Sequence, residues 1–396
     1  MCKLFGLAPY TIHINRNTGE GSVDVNVKKN LGGWLCTITL LASMIFELLD
    51  SLIKFKITRR TSVSDTLSRM FCIPMLFFYA ATSLLINGTV IKNNIKQLLK
   101  IFSDIDKGLF RLHRVPTEHV HLFSMKGLLS KLDVLMLIFV IVPYLIYDSV
   151  IWGIGLFFIH SYLMRISQFI SIITVMQYCK FVIYVWKLLS EFCKILSEFI
   201  EYDYSRNEKH IVVLPQLSRI HPELRQKHRN DMTETIIALR RMYSQLCDAV
   251  HLINVMYGFV ILLEIATDFT VGITGVSTIM TLTKTYRRPH HLFDKKPVIS
   301  NVMCILISIG LIISTVVFCQ IAIWKSKQLG FIVSKISLIY PLNPDTLEQL
   351  KLFNNQIYNN SFEFSAFWLF RLDSNLLCTI FASAVTYTAV IIQLSG

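Results

Sequence analysis

At 396 residues, 53% hydrophobic and only 16% charged, with a mean hydropathy of +0.52, the chain has the composition of a multi-span membrane protein rather than a soluble one. The net charge of +13 suggests nucleic acid only if the positive residues cluster on a soluble surface. Nine scattered cysteines, with no CxxC and no Cys/His ligand spacing, indicate neither a zinc site nor a disulfide framework, and no metal or cofactor is expected.

Residues 1–30 are mostly polar, with Pro9, Gly19 and Gly21, and read as a short, partly irregular arm without a cleavable signal peptide. Window hydropathy then predicts seven spans: 31–53, 70–91, 132–152, 157–184, 250–278, 298–324 and 371–394. Pro74 sits near the start of span two, and Pro143 predicts a kink in span three. A basic segment, 92–131, follows span two and has helical periodicity in IKQLLKIFSDID. The pattern of span four continues amphipathically through KLLSEFCKILSEFIEYDY to a break around Leu214–Pro222. A second amphipathic run, DMTETIIALRRMYSQLCDAV, leads into span five, so 185–249 reads as helical extensions of spans four and five. Residues 325–370 hold a polar connection with PLNPD and a further amphipathic helix over 346–362. The expected fold is an all-α membrane protein, a single seven-helix domain over 1–396, with no soluble domain and no internal repeat.

Orientation follows from the positive residues. The arm and loops two, four and six carry 27 Lys and Arg (counting Lys180 at the end of span four), against 10 in loops one, three and five. Without the long loop four the difference is still 16 against 10. The positive-inside rule therefore places the N-terminus in the cytoplasm and Gly396 outside. The charge becomes a property of the cytoplasmic face, and nucleic acid is excluded as a partner. The sequons Asn87-Gly88-Thr89 and Asn359-Asn360-Ser361 would face the cytoplasm and stay unused. This layout is the inverse of a G-protein-coupled receptor.

Span seven, Arg371–Leu394, is about 36 Å long at 1.5 Å per residue, enough to cross a core of about 30 Å. It carries a stripe. Asn375, Thr379, Ser383, Thr386 and Gln393, with apolar Val390 completing the run, fall within an arc of roughly 80°. Such a face serves either packing against a neighbouring helix or contact with water.

Thr386-Tyr387, five residues, then Gln393 resemble the TYhhhhhQF signature of insect gustatory receptors. Upstream, Phe364-Ser365-Ala366, Phe370, Leu372-Asp373 and Leu376-Leu377 resemble that family's preceding stretch, and Leu252-Ile253-Asn254 resembles a feature of its fifth span. Leu394 stands where Phe is usual, and Trp368 where Gly is common. The resemblance implies a tetrameric ligand-gated cation channel in the plasma membrane of sensory neurons, homomeric or mixed with related subunits. It would pass Na, K and Ca ions and would not be an enzyme. Cytoplasmic helices would hold the subunits together, the stripe would line the pore, and Gln393 with Leu394 would form the gate.

By the same resemblance a small-molecule tastant would bind among spans two to six, in their outer half. Residues placed there are Tyr79, Tyr144, Tyr147, Asp148, Trp152, His160, Arg165, Glu264 and Asp268. Charged groups at that depth mark function or pairing. Arg165 with Asp148 reads as an ion pair across a short loop, Tyr144, Tyr147 and Trp152 as pocket walls or interface anchors, and Glu264 with Asp268 as ligand contacts or outer-surface groups. His290-His291 reads as a solvated loop pair, and Glu47 with Asp50 as interface residues. Sugar-type members carry Glu after the Thr-Tyr pair; here Thr388 stands there, which favours a bitter plant secondary compound, with fructose-like sugars second. A metabotropic receptor and a secondary transporter are the rivals; topology opposes the first and the lack of an inverted repeat the second.

Overall fold

The computed structural model describes residues 10–16, 23–29, 37–43, 45–46, 49, 53, 71–112, 159–212, 222–286, 296–339, 343–360 and 362–394. The N-terminal arm is more regular than its composition suggests. Strands β1 (Tyr10–Arg16) and β2 (Val23–Lys29) pair antiparallel, with Ile12 opposite Val27 and Ile14 opposite Val25. The period-two alternation of β-branched residues in TIHINR and VDVNVKK was the available signal.

The other long elements among the described residues are helices. Helix α1 (Ile73–Ile86) passes through a π-helical turn, Asn87–Ile91, into α2 (Lys92–Leu112), giving 40 uninterrupted residues. Pro74 sits in the first turn of α1, where a missing N–H costs nothing. On α2 the residues Ile95, Leu98, Leu99, Phe102, Ile105 and Leu109 recur at helical spacing and are all buried.

Helices α3 (Ile159–Val212), α4 (Pro222–Tyr286) and α5 (Lys296–Ile339) have 54, 65 and 44 residues. At 1.5 Å per residue α4 is close to 100 Å long, about three times a hydrocarbon core. It must leave any membrane it crosses, which is why its first turns are amphipathic and its middle apolar. Helix α6 (Pro344–Asn359) starts with Asn343 at its N-cap, Pro344 in the first turn and Asp345 near the positive end of the dipole. It buries Leu350, Phe353 and Ile357 against the rest. Its end comes three residues before the expected 362, and Phe362–Phe364 is not helical.

A tight hairpin of β3 (Ser365–Ala366) and β4 (Phe370–Arg371) leads to α7 (Ser374–Leu394). The backbone N–H of Leu376 donates to Asp373 Oδ1 at 3.1 Å, an N-cap that fixes where α7 begins. Two apolar cores result among the described residues. The larger runs through α2, α3, α4, α5 and α6, and the smaller joins α1, α3 and α4.

Among the described residues five stretches are long and apolar enough to cross a membrane: Ile73–Leu112, Ile166–Glu198, Met232–Thr283, Val298–Leu338 and Ser374–Ile391. They contain spans five and six and overlap spans two, four and seven. Span three, with Tyr144, Tyr147, Asp148 and Trp152, lies outside the described residues, as do most of span one, Glu47, Asp50, His290 and His291.

Candidate functional site

Polar residues inside the apolar helices gather at one place. Tyr79, Ser83 and Asn87 recur every fourth residue along α1 and its π turn, and all three are buried. Ser171 and Thr174 meet them from α3, and Glu264 and Asp268, one turn apart, from α4. The Thr174 hydroxyl donates to Ile170 O at 2.7 Å. Its single proton is thereby used, so the 2.9 Å contact with Ser83 is a bond donated by Ser83. Ser171 donates to Glu264 Oε1. Ser308 of α5 faces Asp268, and the two carboxyl groups face each other.

The cluster is fully enclosed and incompletely satisfied. Tyr79, Glu264 and Asp268 are 1%, 2% and 6% exposed. The Tyr79 hydroxyl points towards Glu264 and Thr174 but completes no hydrogen bond of normal geometry, and Glu264 Oε2 and Asp268 Oδ2 are also buried without a partner among the described residues. Of the sequence candidates, then, Tyr79, Glu264 and Asp268 come together, and the two acids are not outer-surface groups. His160 and Arg165 lie on the first turns of α3, but their side chains lie outside the described residues. Among the described residues no group of three or more metal-ligating side chains occurs.

Further along α4 lies a second polar device. Asn254, 6% exposed, uses both ends of its amide on the extended segment before α7: Nδ2 donates to Glu363 O at 2.7 Å, and Ser365 N donates to Oδ1 at 3.3 Å. One side chain thus pairs with the segment as a neighbouring strand would. One turn on, Gly258 lets the turn lie directly on the helix, since a Cβ there would stand 2.9 Å from Phe367 N. Phe259 packs edge-on against Phe367, and His251 lies against Trp368. Phe367 and Trp368 have φ of 51° and 56°, the left-handed region that favours glycine. Gly is therefore the unstrained choice at 368, and this chain holds Trp there.

The 7tm chemosensory receptor family model matches residues 1–395. The chain belongs to that family. The match bears out the resemblance read at the C-terminus. Among solved structures, the insect olfactory receptor OR5 from Machilis hrabei in complex with eugenol is similar over 99% of this chain and 95% of its own, with TM-score 0.57 and 11% identity. A second structure of OR5 aligns over 99% and 96%, with TM-score 0.57 and 10% identity. At such identity the likeness shows the fold alone. A search of curated proteins found no match.

In this chemosensory receptor the signature helix α7 is the least buried of the candidate spans among the described residues. None of the window Ser374–Ile391 is buried, whereas the other four candidate spans bury one third to two thirds of theirs. Asn375, Thr379, Thr386, Val390 and Gln393 of the stripe are exposed, and Ser383 is half-buried. Thr379 and Thr386 donate to the carbonyls four residues back, Asn375 O at 3.0 Å and Ala382 O at 2.9 Å. Their oxygen lone pairs remain free to accept from water. Signature Tyr387 lies off the stripe, edge-on to Phe269 of α4, so the signature joins a water-facing position to a packing one. The side chain of Leu394 lies outside the described residues.

Sequence reading missed Ser83, Ser171, Thr174 and Ser308, and gave Asn254 no role. The signal existed for the first three: Tyr79-Ser83-Asn87 and Ser167-Ser171-Thr174 are polar lines at helical spacing inside apolar spans.

Proposed function

We propose that this receptor is a tetrameric ligand-gated, non-selective cation channel of sensory-neuron plasma membranes, gated by a small-molecule tastant. The observation that carries the reading is the unburied α7, whose uncharged polar stripe bonds only within its own helix among the described residues. Four copies around an axis would cover the apolar flanks Phe381 and Val385 against lipid or neighbours and turn Asn375, Thr379, Ser383, Thr386, Val390 and Gln393 towards a water-filled path. Gln393 and Leu394 would then form the gate at the outer end, with the N-terminus in the cytoplasm. Parts of α3, α4 and α5 beyond the membrane, together with α6, would hold the subunits together.

The ligand site is the Tyr79–Glu264–Asp268 cluster. It lies about 15 Å along α4 from Asn254, ten residues at 1.5 Å each. Helix α4 thus touches both the ligand and the turn before the pore helix, so a small shift of α4 reaches α7 without a separate relay. A bitter plant compound is the first ligand class and a fructose-like sugar the second, on the Thr388 departure from the sugar-type pattern. Whole-cell recording from cells expressing this chain alone tests the reading: ligand-evoked cation current that persists with G proteins blocked supports it. Current that requires G proteins would restore the metabotropic alternative.

A further inference from the structure

We infer that the cluster of Tyr79, Glu264 and Asp268 binds an organic ammonium ion, a protonated amine on an apolar frame. The inference rests on the proposed reading of this cluster as the ligand site and names the ligand's chemistry. Two carboxyl groups one turn apart on α4 face each other inside an apolar layer, where a charged group costs about 2.5–3.5 kcal/mol even on insertion scales. Among the described residues neither is ion-paired; their neighbours are hydroxyls, from Ser171 on α3 and Ser308 on α5.

The unfilled valences point one way. Among the described residues Glu264 Oε2 and Asp268 Oδ2 are buried without a hydrogen-bond partner, and the Tyr79 hydroxyl, on a different helix and 1% exposed, is aimed at Glu264 with no completed bond. A polyol would need free donors as well as acceptors around it; the hydroxyls of Tyr79, Ser171 and Ser308 already face the acids, and no Lys, Arg, Asn or Gln side chain bonds to either acid among the described residues. An ammonium group brings up to three donors and one positive charge, so it both fills the acceptors and supplies the counter-charge that a buried carboxylate needs. Tyr79 itself sits in the apolar cluster of Ile73, Phe77, Ile170, Ile173 and Val260, side chains that suit an apolar frame rather than a hydrated sugar.

The experiment uses the full-length protein in lipid nanodiscs and matched probes: cyclohexylamine and cyclohexanol, benzylamine and benzyl alcohol, 1-adamantylamine and 1-adamantanol, with fructose. The readout is the shift of the thermal unfolding midpoint against probe concentration. At least one amine is expected to stabilise the protein while its alcohol does not. Glu264→Gln and Asp268→Asn should each weaken that effect at least thirtyfold, equivalent to about 2 kcal/mol at 1.4 kcal/mol per tenfold. Should both variants fail to fold, protection of Glu264 in the native protein from a hydrophobic carbodiimide replaces them, with protection by the amine and not the alcohol as the expected result.

The inference is overturned if no amine stabilises, if alcohols or fructose match the amines, or if the variants respond unchanged. It is equally overturned if sodium alone stabilises in place of the amines and loses its effect in the variants. Amine binding without evoked current would sink the channel reading and leave the site. Currents evoked by neutral compounds and unaltered in Glu264→Gln would do the reverse.

Discussion

Replacing Asn254 with Ala should release the turn before the pore helix. Asn254 Oδ1 accepts from Ser365 N, a buried backbone donor, and Nδ2 donates to Glu363 O, which is part-buried. Truncation leaves the Ser365 N–H without a partner, at about 1–3 kcal/mol, and removes a second bond worth about 0.5–1.5 kcal/mol where water replaces it. The turn retains Leu372 N to Phe364 O and the half-exposed Arg371–Glu363 ion pair at 2.9 Å, so it loosens rather than unfolds. A loss of about 2–4 kcal/mol corresponds to amide exchange roughly 30- to 700-fold faster over residues 363–372. Hydrogen-exchange mass spectrometry of the nanodisc-embedded protein measures this, with α4 peptides as the internal control. Acceleration below threefold, or equal acceleration throughout α4, would refute the view that one amide holds the turn.

Gly258→Ala should act at the same place by pressure instead of loss. Its Cβ would sit 2.9 Å from Phe367 N and 3.3 Å from Ser365 O, both backbone atoms, and a cost of about 1–3 kcal/mol should appear as a lower unfolding midpoint and faster exchange in 363–372. Trp368→Gly should do the opposite. Relief of the left-handed φ of 56°, less the added freedom of glycine when unfolded, leaves roughly 0.5–1 kcal/mol and two- to fivefold slower exchange around 367–370; faster exchange would mean that the indole's contact with His251 outweighs the strain. Asn87 should carry no glycan in intact-mass measurement, since its side chain is buried and Nδ2 donates to Ser83 O at 2.8 Å.

The sequence carried the helices well because their cause is periodic and local. Apolar spacing in IKQLLKIFSDID foretold α2, and the amphipathic runs after span four and before span five foretold α3 and α4 as rods longer than a membrane needs. It missed the hairpin in the arm because composition outweighed a short period-two pattern. The site was only half legible. Charged Glu264 and Asp268 announce themselves in an apolar span, but Ser171, Thr174 and Ser83 are ordinary helix-packing residues until the helices meet. The role of Asn254 depends on a partner 109 and 111 positions away, so no local pattern could reveal it.

The central claim is that α7 lines a pore, and cysteine accessibility tests it most directly. With Cys378, exposed on α7, first changed to Ser, single cysteines at Thr379, Ser383, Thr386 and Val390 would be treated with a charged methanethiosulfonate reagent during ligand application. A pore-lining α7 gives block of the current at these stripe positions, faster with ligand than without, and little effect at Phe381 and Val385 on the other faces. Equal modification on all faces, or none on the stripe while Phe381 and Val385 react, would contradict it.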